Sequence, residues 1–518
     1  MINDNNFIKS TAVLGLSGIV VKILSAAYRI PLTRMIGAEG MGQYSAAFNV
    51  FMPFFSLATA GITPTISRLC ARGVSKADIV VIKRKAGACF GVVSVIMVAV
   101  ALVISYLYAG YTESYFLFTG VMLLCPNIIF AASEAVYKGI SQGSMEMNTS
   151  AKAAVLESIS KTIIGICSVY LAGILIREKR GEAQLICAFS TVSVSGFICW
   201  LYMWNNFRKS YDIHSKSNMP VTTRHLFSMA VPISLSALVV SVSNFCDTVI
   251  CLSIVKSIPD NTLMAAFPFI SFTAVSEKAI WLFGVYQGLC LSVVNLIPSL
   301  SSVIGASGLP VITRAVSAGN TEQLRRKTDR LIKLTALCVV PVSLFVMFFS
   351  QDVLVTLYGD NGAQTALAAF FLKIMAPVAI LSAFSFPLNS IMHAKGKSAV
   401  IFRILLFSCF IRVAVATGLC SVGRINIMGC IIAQIVFHTM VFIFSVRAVA
   451  DVYPAGRLIL RISYPVVISY ILLTLIRIVT DFMLYSVPCV FRTFFCGMVF
   501  VLMYMAVMFF TSTLIDKR

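Results

Sequence analysis

Stretches of about 20 apolar residues alternate with short polar breaks along the whole chain, from residues 11–30 to a last run around Val501. Each can cross about 30 Å of hydrocarbon as an α-helix, the form that satisfies its own backbone hydrogen bonds where water is absent. Runs and breaks together predict about fourteen helices. Six centre near Val20, Phe55, Met97, Leu124, Ile166 and Val194, six near Val240, Val294, Val340, Ala379, Phe410 and Val436, and two near Ser469 and Val501. Helices two and eight are long, about 30 residues, and are expected to tilt or protrude. The first run follows MINDNNFIKS, with no basic cluster before it and no small-residue cleavage site after it, so it reads as a retained helix, which Pro31 and the Gly37, Gly40, Gly42 series are expected to end and turn into helix two.

Composition narrows this to an all-α membrane protein. Of 518 residues, 59% are hydrophobic and only 12% charged, where a soluble domain carries about 25% charged. No polar stretch is long enough for a soluble domain. The net charge of +21 does not point to nucleic acid, because the basic residues gather in alternate loops. Fifteen cysteines are scattered through apolar segments; Cys246/Cys251 and Cys489/Cys496 lack C-x-x-C spacing, and no histidine cluster lies nearby. Neither a metal nor a cofactor is expected. There is no G-x-x-x-x-G-K-[ST], so the chain is not expected to be an ATPase.

The basic loops fix an expected orientation. Arg72, Lys76, Lys83, Arg84 and Lys85 follow helix two; Lys138 and Lys152 follow helix four; Arg208, Lys209, Lys216 and Arg224 follow helix six. Arg325, Arg326, Lys327, Arg330 and Lys333 follow helix eight; Lys395 and Lys397 follow helix ten; Arg447, Arg457 and Arg461 follow helix twelve; Lys517 and Arg518 end the chain. The alternate loops are poor in base, with REKRGE at 177–182 the exception. Positive-inside bias therefore places both termini of this multi-pass chain in the cytoplasm.

An internal repeat is visible. Pro64-Thr-Ile-Ser-Arg68-Leu-Cys-Ala-Arg-Gly73-Val-Ser75 aligns with Pro310-Val-Ile-Thr-Arg314-Ala-Val-Ser-Ala-Gly319-Asn-Thr321 at a constant offset of 246. A weaker match pairs Leu16-Ser17 with Leu235-Ser236. Both copies end a helix and enter a basic loop, so the halves read as parallel six-helix repeats, a transporter architecture. The expected division is an N-lobe at 1–220, a C-lobe at 221–450 and an appended helix pair at 451–518. Arg68 and Arg314 recur in both copies and read as scaffold at cytoplasmic helix ends.

Charges inside the apolar runs are the functional candidates. Lys22 and Arg29 are spaced to share one face of helix one, with Ala26 between them and Ser25 at its border. With Arg412 on helix eleven and Lys373 on helix ten, they would line a cavity suited to a diphosphate. Asp247 on helix seven, with Asn244 three positions before it, is a candidate for coupling or gating through an ion, a proton or a cross-lobe pair. Glu157 and Lys161 on helix five are candidates for the same role, structural pairing being the other reading. Glu134 and Lys138 on helix four have the same spacing and read as a self-satisfying pair. His393 and His438 read as satisfied polar residues.

The segment from Gly15 to Leu69, with Tyr28-Arg29-Ile30-Pro31, Ile36-Gly37-Ala38-Glu39-Gly40, Gly42, Tyr44 and Ala58-Thr59-Ala60-Gly61 running into Ile66-Ser67, resembles a known family. This is the polysaccharide-biosynthesis, stage V sporulation protein B-like flippase family, lipid II flippases included, of the multidrug/oligosaccharidyl-lipid/polysaccharide exporter superfamily. NLIPSLSSVIGASGLPVITRAVSAGN, at 295–320, looks like its second lobe.

The resemblance implies two lobes, alternating access and movement of an undecaprenyl-diphosphate-linked glycan from inner to outer leaflet. It implies basic residues of helix one, here Lys22 and Arg29, at the diphosphate, and a lipid-tail groove on the two extra helices. The chain departs from it in having no basic residue in the helix-two interior and Asp247 where an arginine would be expected. The expected partners are this lipid-linked substrate, membrane lipids and a coupling ion or proton, with a monomer as the working unit. The alternatives are a cation-coupled exporter of soluble drugs or metabolites and a non-transporting membrane scaffold. An embedded glycosyltransferase would want a catalytic carboxylate pair and a large outer loop, and neither is visible.

Overall fold

The computed structural model describes residues 4–71, 75–112, 115–176, 178–211, 222–268, 277–483 and 487–515. Of the basic loop residues, Arg72, Arg177, Lys216, Lys517 and Arg518 lie outside them, as does Gly73 of the repeat. The described residues are helical throughout, with no strands among them. Among the described residues, thirteen stretches are long and apolar enough to cross a membrane. The first, Gly15–Cys70, has 56 residues, more than twice what a bilayer needs, and turns sharply at Gly37 (φ 68°). It accounts for predicted helices one and two, so the expected count of about fourteen holds.

The turn within α1 (Asp4–Thr59) differs from the sequence reading in one detail. Pro31 lies inside the helix and does not end it; the positive φ that only glycine takes readily sits at Gly37. Predicted helix two continues past a short break into α2 (Ile62–Cys70). Predicted helix eight is not one rod: residues 278–317 form α10 (Lys278–Phe283), a π-helical stretch (Gly284–Cys290), α11 (Leu291–Val294) and α12 (Leu296–Ser317).

The chain packs into two compact units, residues 1–258 with 275–284, and 259–274 with 285–518. The repeat divides the sequence after helix six, whereas packing draws helix seven into the first unit. Duplication and contact are different criteria, and each gives its own boundary.

The first unit contains α1, α2, α3 (Lys76–Thr112), α4 (Tyr115–Leu124), α5 (Pro126–Gly143), α6 (Met147–Leu175), α7 (Arg180–Ser210), α8 (Thr223–Ile254) and α10. An antiparallel polar seam joins α1 to α8. Asn49 Nδ2 donates to Thr248 Oγ1 at 2.9 Å, Ser56 and Ser241 share a hydrogen bond at 2.8 Å, and the Gly61 amide donates to Ser234 Oγ at 3.0 Å. The α8 partners recur every seven residues, so one face carries all three. Lipid tails offer helices no hydrophobic reason to associate, so small polar contacts of this kind hold them together. Any Cβ at Gly61 would collide with the Ala230 carbonyl oxygen, which is why the seam closes at a glycine.

The second unit contains α9 (Asp260–Ala266), α11, α12, α13 (Thr321–Phe348), α14 (Ser350–Tyr358), α15 (Ala363–Ala394), α16 (Ser398–Cys420), α17 (Met428–Val449), α18 (Ala455–Met483) and α19 (Cys489–Ile515). At its centre, α15 packs against α12, α13 and α17, with Ser301 Oγ donating to Ala383 O at 2.6 Å and Ser390 Oγ to Gly305 O at 2.9 Å. Between α8 and α10, α9 leads to Phe267, which is buried edge-on against Phe371, while 269–276 fall outside the described residues.

The appended pair α18–α19 is pinned to this unit at both ends. At one end Asp329 of α13 accepts from Arg461 Nη2 at 2.7 Å, Arg461 Nε at 3.1 Å and Tyr453 Oη at 2.6 Å. Burial and this bond to a carboxylate push the Tyr453 phenol up from its usual pKa. At the other end Asp352 of α14 accepts from Arg477 at 3.3 Å and from Arg492. The outer faces are apolar: Phe482, Phe491 and Phe494 are all exposed, as suits a surface in contact with lipid.

The repeat motif folds as expected in part. Arg68 and Arg314 both lie exposed in the last turn of their helices, α2 and α12. The residues after them diverge. Ser75 and Asp78 cap α3 reciprocally, with Asp78 N to Ser75 Oγ at 3.2 Å and Ser75 N to Asp78 Oδ2 at 2.9 Å. In the second copy Asn320, not Thr321, caps α13 by accepting from the Gln323 amide at 2.9 Å.

Candidate functional site

The site begins on α1. Lys22 is exposed, Arg29 is half-buried, and Tyr28 between helices is buried. Thr33 Oγ1 donates to the Arg29 carbonyl at 2.9 Å and Ser25 Oγ to Val21 O at 2.7 Å, so these hydroxyls are satisfied within the helix. Helix α6 lies against this segment because Gly165 has no side chain; a Cβ there would strike the Tyr28 ring. Thr162 Oγ1 donates to the Leu24 carbonyl at 3.2 Å, between the turns that carry Lys22 and Arg29.

This approach brings Lys161 of α6 to α1. Its ammonium lies 5.2 Å from the centre of the Tyr28 ring and 5.7 Å from that of Phe48. A cation held against two ring faces keeps its charge at reduced desolvation cost. The helix-two interior carries no basic residue of its own, yet a lysine from another helix stands over its Phe48.

One turn back on α6, Glu157 meets α5. Lys138 Nζ is 3.7 Å from Glu157 Oε2 and 2.5 Å from Glu134 Oε1. The Cys199 thiol of α7 donates to Glu134 Oε1 at 2.8 Å and lies 3.3 Å from the Ala153 carbonyl. Glu134 and Cys199 are buried, Glu157 partly so. From α1 inward the charges alternate: Lys161, Glu157, Lys138, Glu134. Two cations thus balance two carboxylates across α5 and α6, which is what lets charge persist inside the unit. The ligand atoms of Glu134, Glu157 and Cys199 lie within 4.8 Å of one another, a spacing able to hold a metal ion, although the sequence reading expected no metal site.

Asp247 of α8 is fully buried, next to Thr248, which Asn49 holds and whose hydroxyl returns to the Asn244 carbonyl at 3.1 Å. Asn244 is half-buried one turn earlier. Asn244 therefore lies on the seam face of α8, between Ser241 and Thr248, and Asp247 is buried on the same stretch of helix.

In the second unit Arg412 of α16 is buried with its guanidinium 5.4 Å from the Phe437 ring of α17, whereas Lys373 of α15 is exposed. The structure thus brings Arg29, Lys161, Glu157, Asn244 and Asp247 into one unit and leaves Arg412 and Lys373 in the other. His438 is 3.3 Å from Gln434 and His393 3.0 Å from Ser398, so both rings have polar neighbours. The sequence reading missed the tie from Lys138 to Glu157, the Cys199 thiol at Glu134, and the anchors Asp329 and Asp352. Two i, i+4 Glu/Lys pairs were visible; that they meet was not.

Known proteins place the chain. Residues 7–260 match the polysaccharide biosynthesis protein family, and residues 287–417 match the MatE family. The chain is 22% identical to stage V sporulation protein B of Bacillus subtilis over 465 residues, covering 86% of this chain and 84% of that one. It is 23% identical to the lipid II flippase MurJ of the same organism over 409 residues, covering 73% and 71%. Its fold is that of the solved MurJ structure in an inward closed conformation (TM-score 0.68, 12% identity, 97% of this chain and 100% of that one). It also resembles an inward-facing multidrug resistance MATE family transporter (TM-score 0.62, 16% identity, 85% and 99%).

The chain is therefore a multi-pass membrane transporter and not an enzyme. It is homologous to stage V sporulation protein B and MurJ along most of its length, and its fold is shared with the MATE transporters.

Proposed function

We propose that this protein moves an undecaprenyl-diphosphate-linked glycan, a precursor of cell wall, spore cortex or polysaccharide, from the inner to the outer leaflet of the bacterial cytoplasmic membrane. Both termini face the cytoplasm, and transport runs by alternating access. The observation that carries this reading is the cationic face of α1, Lys22 and Arg29, joined by Lys161 from α6. Arg412 and Lys373 are further basic candidates for diphosphate contact, from the sequence. Asp247 and Asn244 of α8 and Glu157 of α6 are the coupling or gating groups, with Lys161, one turn from Glu157, at the Tyr28 ring of α1. Two of the relatives are named for sporulation and for lipid II flipping, which supports a lipid-linked substrate.

The test is translocation of labelled lipid II, against other prenyl-linked glycans and a soluble drug-like cation, in proteoliposomes. A charge-assisted contact to phosphate contributes about 1.5–3 kcal/mol, so Arg29→Ala is expected to weaken diphosphate binding about 10- to 100-fold. Translocation should fall with it while insertion stays intact. Wild-type rates from Arg29→Ala, or movement of the soluble cation alone, would overturn the reading. Asp247→Asn should alter the dependence on pH or sodium; an unchanged series assigns Asp247 to packing.

A further inference from the structure

The buried cluster on α5, α6 and α7 has the form of a cation site already filled from within. We propose that Lys138 is a tethered cation: its ammonium occupies the position among Glu134, Glu157 and Cys199 that a divalent ion would otherwise take, and keeps free ions out. Two carboxylates and a thiol have ligand atoms within 4.8 Å of one another, close enough for a small contraction to bring them around one ion at metal–oxygen and metal–sulfur distances of about 2.0–2.3 Å. Oxygen and sulfur together suit a borderline metal such as zinc better than magnesium or calcium. The ammonium stands 2.5 Å from Glu134 and 3.7 Å from Glu157, so it contacts two of the three groups. The third, Cys199, donates its proton to Glu134 and so stays a thiol, the form that does not bind metal.

The ammonium differs from a bound ion in one respect that matters for transport. It cannot leave, so this unit holds its three helices together at every concentration of external cation. The cluster then contributes fixed electrostatics, with Glu157 balanced by Lys138 in place of an exchangeable ion. This narrows the reading of Glu157: the residue holds no exchangeable ion, and ion coupling falls to another group. It rests on the transporter reading only for that consequence. The experiment reads metal binding and not transport, so the two fail separately.

The test uses the full chain in detergent micelles, with zinc as probe and thermal unfolding and calorimetric titration as readouts. Lys138→Met removes the ammonium and keeps the volume. In that variant zinc is expected to displace the Cys199 proton to solvent, bind at least 100-fold more tightly than to wild type and raise the melting temperature. Glu134→Gln added to Lys138→Met should abolish the gain. Lys138→Arg, which restores a cation, should suppress it. If Lys138→Met proves hard to purify, recovery only in zinc-containing buffer counts as the gain. Three outcomes overturn the proposal: a folded Lys138→Met indifferent to zinc, a variant that zinc does not rescue, or wild type binding zinc with equal affinity in a manner lost in Cys199→Ser. A lysine serving only as a structural ion-pair partner would lower stability without creating metal binding.

Discussion

Removing the Asp352 carboxylate should loosen the appended helix pair more than any other single change at its surface. Asp352 is 3% exposed and accepts from Arg477 of α18 and Arg492 of α19, so one residue of α14 holds both helices. Beside it Thr356 Oγ1 donates to Thr493 Oγ1 at 3.0 Å, and the Arg477 guanidinium lies 5.5 Å from the Phe349 ring. Breaking a buried ion pair from one side costs about 3–5 kcal/mol, because the partner is left charged and desolvated. Arg492 is 17% exposed and bears that cost nearly in full. Arg477 is 40% exposed and keeps Asp481 at 3.0 Å, so water and a second carboxylate reduce its share.

Asp352→Ala should therefore lose about 3 kcal/mol, and Asp352→Asn roughly half of that, since the amide still accepts a hydrogen bond. Equilibrium unfolding in mixed micelles reads the loss, and proteolysis across 484–488 should identify α18–α19 as the part that opens first. In a double-mutant cycle, Asp352→Ala with Arg492→Ala should show a coupling of about 1 kcal/mol or more. A change within about 0.5 kcal/mol for Asp352→Ala, the level of an ordinary surface substitution, would refute the account of Asp352 as the clamp.

Two further expectations follow from single contacts. Gly61→Ala drives a methyl group into the Ala230 carbonyl, and the seam with Ser234, Ser241 and Thr248 should open at a cost of about 1–3 kcal/mol, read as a lower melting temperature. In the second unit, Asp451 accepts a hydrogen bond from Lys395, with Lys397 3.6 Å away, and these hold its carboxyl below the usual carboxylate range. A depressed folded value means the contact stabilises above the unfolded pKa and is lost as pH falls through the folded one, from about pH 4 downward. Hydrogen exchange at residues 450–454 should rise over that window, and Lys395→Met should remove the dependence; an unchanged profile in that variant refutes the link.

The sequence determined the class of this molecule because the bilayer leaves few choices. An apolar run of about 20 residues has to be a helix there, so length and hydropathy alone gave about fourteen spans and an all-helical fold. The arginine at the helix end within each repeat copy, and the shared face of Lys22 and Arg29, were likewise legible, since both depend on local spacing. Where the chain bends was less so: Pro31 looked like the end of helix one, but a proline costs little where neighbouring helices satisfy the freed carbonyl, and the positive φ fell to Gly37.

What the tertiary structure alone decided is who meets whom. Glu134/Lys138 and Glu157/Lys161 are identical patterns in sequence, yet packing gives Glu157 to Lys138 and sets Lys161 over the Tyr28 and Phe48 rings. Asp352 reads as an ordinary residue of a base-poor loop and becomes buried between two arginines more than a hundred residues away. Helix periodicity fixes which residues share a face of one helix. It says nothing about which helix that face will find, because that depends on where small residues such as Gly61 and Gly165 let two backbones come close.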